Sequence, residues 1–152
     1  MRRADDVHIQ VHMFPEGKVK QYDLTELRRF KWGVSRVLME AMEAKPLVIP
    51  IWITGFEKIV PEERKIKLKP NLGHAVSITI GEPIEDTVQP LLRRFRAQFG
   101  QGWRPATYGR DVEADLAEEP EGLAQLRSEM AEVLRQEVSK LGRTVHAKQD
   151  RT

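Results

Sequence analysis

The sequence has no cysteine among its 152 residues. That excludes disulfides and thiolate metal sites. Its four histidines, His8, His12, His74 and His146, are scattered without metal-ligand spacing. It also lacks an apolar run approaching the ~20 residues that span a bilayer. The N-terminus, Met1-Arg2-Arg3-Ala4-Asp5-Asp6, has neither the apolar core of a signal peptide nor an acid-free transit pattern. No basic run is interleaved with aromatics, and Lys plus Arg (25) nearly balances Asp plus Glu (23), so nucleic-acid binding is not expected. No histidine has an acid five residues on: the partner positions are Met13, Gly17, Thr79 and Arg151. A histidine–aspartate dyad at that spacing is therefore missing.

What is present suits one domain with a real core: 40% hydrophobic and 32% charged residues. Charge is uneven. Residues 1–70 carry 14 basic and 10 acidic side chains, and residues 112–152 carry 6 and 9. A basic first half beside apolar residues suits anionic headgroups or phosphates, and equally an ordinary solvated surface.

Val7-His8-Ile9-Gln10-Val11-His12-Met13-Phe14 alternates with the period of a half-buried strand. Pro15 and Gly17 end it in a loop. A helix is expected from about Leu24 to Glu43, capped by Asp23 or Thr25, with Leu27, Phe30, Val34, Val37, Leu38 and Ala41 on one face. Leu47 to Ile53 reads as a buried strand, bulged or at an edge because of Pro50. Residues 61–70 read as a charged loop, and Ala75 to Gly81 as a third strand.

Strand, helix, strand predicts a βαβ unit with a parallel pair. The fold class is thus α/β: a βαβ unit plus a further strand, with flanking helices and a C-terminal helix. Residues 1–100 carry the strands and first helix, and 101–120 form a linker or loop. Residues 121–142 form the C-terminal helix, and 143–152 a flexible tail. The stripe Leu123, Leu126, Met130, Val133, Leu134 and Leu141 docks this helix on its own sheet or on a partner helix.

Phe14-Pro15-Glu16-Gly17-Lys18 places a Pro-Gly turn with a carboxylate and an ammonium at a strand end, where α/β folds bind ligands. Lys18, Lys20, Arg29 and Lys31 are placed to surround a phosphate. Read alone, the turn is equally a surface ion pair.

This block resembles the acceptor-binding motif of the glycerophospholipid acyltransferases. The stretch ending in Arg29-Phe30-Lys31-Trp32-Gly33, with Pro50-Ile51-Trp52 and Gly55 downstream, is similar to the tafazzin branch. The resemblance covers roughly residues 7–95, more loosely 121–141, and implies that residues 1–100 are the C-terminal part of an acyltransferase domain, with a partial acyltransferase-type sheet. By that resemblance the substrate-binding residues are Phe14, Pro15, Glu16, Gly17, Lys18, Arg29, Lys31 and Pro50. Glu16 and Gly17 shape the acceptor pocket, Lys18 faces the phosphate, and Pro50 lines the cleft or forms a structural bulge.

The chemistry implied is acyl transfer to a glycerol hydroxyl of a lysophospholipid, as in cardiolipin and phospholipid remodelling, with no cofactor and no metal. Phospholipids and lysophospholipids are the implied partners, the setting a peripheral mitochondrial membrane. A homo-oligomer or a missing N-terminal half stays open. The family's histidine general base, held by an aspartate, belongs upstream of Phe14. No catalytic residue is therefore assigned, and the chain alone is expected to be inactive. His8 and His12 read as strand histidines rather than a relocated base. The alternative is a non-catalytic phospholipid-binding or interaction module that has lost the base.

Overall fold

The computed structural model describes residues 10–18, 21, 26–41, 46–61, 70–100 and 119–149. Its order is α1 (Gly33–Glu40), β1 (Ile51–Thr54), α2 (Phe56–Ile59), β2 (Ser77–Ile80), α3 (Glu85–Phe99) and α4 (Leu123–Gln149). The class is the α/β expected. β1 and β2 pair antiparallel, with Ile51 opposite Ile80 and Thr54 opposite Ser77. Beyond the ladder, Gly81 N–H donates to the Pro50 carbonyl at 2.9 Å and Ile84 N–H to Val48 at 3.0 Å. Pro50 itself has no N–H to give back, which is why regular pairing begins only at Ile51.

The parallel βαβ pair expected from the sequence is not found among the described residues. Gln10 to Phe14 forms no strand, and Val7 to Ile9 lies outside the described residues. The expected helix from Leu24 begins only at Gly33. Residues 22–25 and 42–45 lie outside the described residues, as do 62–69 of the charged loop and 101–118 of the expected linker. Within residues 26–32, which stay non-helical, tertiary hydrogen bonds described below take the backbone N–H groups of Arg28 and Lys31. α4 runs past the expected end near Leu141, through the segment expected as a tail, to Gln149. Gly142 does not break it. A Cβ there would lie 2.6 Å from the Trp52 ring, so the glycine is the seat on which that indole rests. Trp52 is 7% exposed and meets His146 edge-on at 5.8 Å, and its buried Nε1 has no hydrogen-bond partner among the described residues.

α3 is an element that the sequence reading left unassigned. Val88, Leu91, Leu92 and Phe95 are buried at helical spacing, but Pro90 sits inside the helix. Proline there removes one i to i−4 bond and argues locally against helix. Burial of this stripe outweighs that loss, at about 1.5–3 kcal/mol for each large apolar side chain. Leu92 and Phe95 are each 1% exposed. The core lies where α1 and α3 meet α4: Phe30, Met39, Val88, Leu91, Leu92 and Phe95 against Leu123, Leu126, Met130 and Leu134. The C-terminal helix is therefore the central packing element of its own chain.

Candidate acceptor-binding site

Phe14 to Gly17 is a four-residue turn closed by Gly17 N–H donating to the Phe14 carbonyl at 3.1 Å. Proline at its second position and glycine at its fourth suit such a turn. Gly17 has φ +67°, a conformation that costs glycine little. The turn is laid against residues 28–31 by two bonds. Lys31 N–H donates to the Pro15 carbonyl at 2.8 Å, and Arg28 N–H donates to Glu16 Oε2 at 2.8 Å. The two segments that carry the family resemblance are thus clamped to each other.

Three of the expected residues, Pro15, Glu16 and Lys31, meet in that clamp, and Gly17 sits under the last. A Cβ on Gly17 would come 2.7 Å from Lys31 Cε and 2.9 Å from its Nζ. The ammonium nearest the glycine is accordingly that of Lys31. Lys18 and Arg29 are exposed beside it in sequence. Phe14 is 73% exposed and stacks with His12 at 5.6 Å. Pro50 is placed otherwise: it is buried, its ring over Gly81. Lys20 lies outside the described residues.

α4 holds the clamp from below. Ser35 Oγ donates to the Arg127 carbonyl at 2.6 Å, and the Arg127 guanidinium lies 5.2 Å from the centre of the Trp32 ring. Arg127 pairs with Glu119 at 2.9 Å and reaches Glu40 at 3.7 Å. Burial pushes its pKa below the ordinary value, while Glu119 and then Glu40 pull it up. About two turns of α4 further on, Arg135 grips Glu132 with two bonds, of 2.8 and 2.6 Å, and approaches the Leu27 carbonyl at 3.5 Å. Those bonds hold the Glu132 carboxyl down at about 2, with smaller help from Gln136 and the nearby charges of Arg135 and Arg29. None of these α4 residues was singled out from the sequence. Arg127 and Arg135 lie 92 and 108 positions from Ser35 of α1 and from Leu27, and no local pattern signals such a contact.

The clamp gives Glu16 a holding role of its own. Glu16→Ala removes one charge-assisted acceptor, a loss of about 1–2 kcal/mol. In a domain of this size that lowers Tm by roughly 3–8 °C. Glu16→Gln keeps an acceptor oxygen and is expected to lose less than half as much. Thermal melts followed by circular dichroism check both, and equal losses would show that Oε2 is not what closes the turn.

Among the described residues no three His, Cys, Asp or Glu side chains come together as a metal-binding set. His74 is exposed and His8 lies outside the described residues. Among the described residues no helix is long and apolar enough to cross a membrane. An open depression between Lys140, Arg143, Thr144, Ala147 and Lys148 has walls from one helix only, so it encloses no ligand.

The chain is similar to Tafazzin of Saccharomyces cerevisiae, 36% identical over 149 residues, which covers 88% of this chain and 38% of that protein. It is 38% identical over 85 residues to the N-acylphosphatidylethanolamine synthase of Arabidopsis thaliana, covering 54% of this chain and 29% of that one. Taffazin of Dictyostelium discoideum is 38% identical over 77 residues, or 49% and 26%. No protein-family model matches the chain, and no solved structure matches it. The chain therefore spans well under half the length of each of these relatives.

Proposed function

Because the chain belongs to the tafazzin-like acyltransferase family, we propose that it forms the acceptor side of a phospholipid acyltransferase. The reaction is transfer of an acyl chain to a glycerol hydroxyl of a lysophospholipid, in remodelling of cardiolipin and related lipids at a mitochondrial membrane. The observation that supports this best is the clamp. It joins Phe14–Lys18 to Arg28–Lys31 and puts the Lys31 ammonium against the one residue of the turn without a side chain. A phosphate approaching Gly17 meets the Lys31 ammonium that lies over it. Lys18 and Arg29 add positive charge on the exposed side. Lys31 and Lys18 bind the headgroup, and the Glu16 bond sets the turn that presents them.

The missing part of this reaction is the base. Deprotonation of the attacking hydroxyl by a positioned histidine contributes about 10²–10⁴-fold. His12 stacks on Phe14 and has no acid five residues on. The 152-residue chain is therefore expected to bind lipid without turning it over.

The test is co-sedimentation with vesicles of phosphatidylcholine alone and with added anionic phospholipid, across salt. Each basic group near an anionic surface contributes about 1 kcal/mol, screened by salt. Lys31→Gln and Lys18→Gln are each expected to weaken binding to anionic vesicles roughly fivefold. Binding that is equal on neutral vesicles, or indifferent to salt, overturns the proposal. Transfer of a labelled acyl chain to a lysophospholipid, measured alongside, is expected at background. Turnover abolished by His8→Ala or His12→Ala would place a working base in this chain.

A further inference from the structure

The sheet has one face covered by α4 and one that is open along β2 and half-buried along β1. Side chains alternate along a strand, and directly paired residues share a face. The register Trp52–Thr79 therefore sits on the side that meets α4, where the indole rests on Gly142. The pairs Ile51–Ile80 and Ile53–Ile78 point the other way. On β2 that face is open to solvent: Ile78 is 63% exposed and Ile80 67%, with Val76 continuing the row at 37%. Both outer edges of the two-stranded sheet also lack a neighbour among the described residues.

We infer that the isoleucine face of β1 and β2 is a docking surface for a polypeptide, and that its occupant is the part of a tafazzin-type domain that this chain does not cover. The inference rests on the same family placement as the proposed function. Three observations carry it. A two-stranded ribbon alone is marginal, and an apolar sheet face is stable when another layer packs on it. The chain accounts for only 38% of the yeast relative, so most of such a domain lies outside it. This face carries four isoleucines in direct cross-strand register, half-buried at Ile51 and Ile53 on β1 and exposed at Ile78 and Ile80 on β2, an apolar patch larger than scattered surface residues make. Strand edges with free N–H and C=O groups suit a polypeptide, which can pair with them.

The test co-expresses the full 152-residue chain with the portion of yeast Tafazzin that it does not match, only one of them tagged. A stoichiometric complex is expected, and within it the backbone amides of residues 77–80 exchange more slowly. Ile78→Lys with Ile80→Lys is the diagnostic variant. Both positions are mostly exposed, so the chain alone is expected to melt within a few degrees of the parent. Losing two buried isoleucines is expected to weaken the complex by about 100-fold or more.

Failure to form the complex overturns the inference. So does a self-dimer that the same double variant dissolves, which would make a second copy the occupant. Slowed exchange on phospholipid vesicles and not with the polypeptide would assign the face to lipid and equally overturn it. The vesicle assay with Lys18 and Lys31 reads the other end of the chain's chemistry, so either reading fails without taking the other with it.

Discussion

Gly55→Ala is expected to destabilise the protein by about 3 kcal/mol or more, through backbone strain and overpacking together. Gly55 joins β1 to α2 with φ +99°. A Cβ built there lies 2.2 Å from the Ala75 carbonyl oxygen and 3.1 Å from Val76 Cα. Those are backbone atoms, and they cannot swing aside as a side-chain tip does. Val76 immediately precedes β2, whose Ser77 is paired with Thr54. The junction is fixed further by Gly55 N–H donating to Glu57 Oε2 at 2.8 Å. Relief therefore requires breaking either the turn or the ladder.

The expected fall in Tm is about 10 °C, at roughly 2–4 °C per kcal/mol for a domain of this size. Gly73→Ala is the control. Its φ is +83°, but nothing lies within 4 Å of the added carbon. It should therefore cost only the left-handed strain, about 1 kcal/mol. Equal melting temperatures for the two variants would show that the Ala75 carbonyl gives way.

Arg127→Met is expected to cost about 3 kcal/mol, the scale of removing one partner from a buried ion pair. The Arg127 side chain is 5% exposed and Glu119 only 12%, so the pair is largely shielded from water. Methionine fills much of the volume but leaves Glu119 without its cation and Trp32 without the guanidinium above it. The cation–π contact alone contributes about 0.5–2 kcal/mol.

Adding Glu119→Gln to Arg127→Met removes the stranded charge and should recover about 1 kcal/mol or more, which a double-mutant cycle in urea measures. The same variant should speed amide exchange at Lys31, because the neighbouring Trp32 ring loses the guanidinium packed against it. A cost below about 1 kcal/mol would mean that the pair behaves as a screened surface bridge.

Much of the chain's organisation was legible in its residues. A nearly continuous apolar run marked the strand at 51–54 and alternation the one at 77–80, each to within a few positions, and the stripe from Leu123 marked α4. The block Phe14–Lys18 with Arg29–Gly33 pointed to the acyltransferase family that the relatives then bore out. These signals are local: the period of a strand or helix and the chemistry of a turn are written within a few consecutive residues.

What only the tertiary structure decided is non-local. The period of two is the same for parallel and antiparallel strands, so alternation could not set the direction in which β1 meets β2. Pro90 argued against a helix that burial of Leu92 and Phe95 then stabilised. Residues 26–32 carry a helical apolar pattern, but Lys31 and Arg28 spend their N–H groups on Pro15 and Glu16. A backbone donor makes one strong bond, and here the distant acceptor took it. The role of α4 as both core and anchor follows for the same reason. Arg127 and Arg135 act on partners 92 and 108 residues away, and only the folded chain brings those residues together.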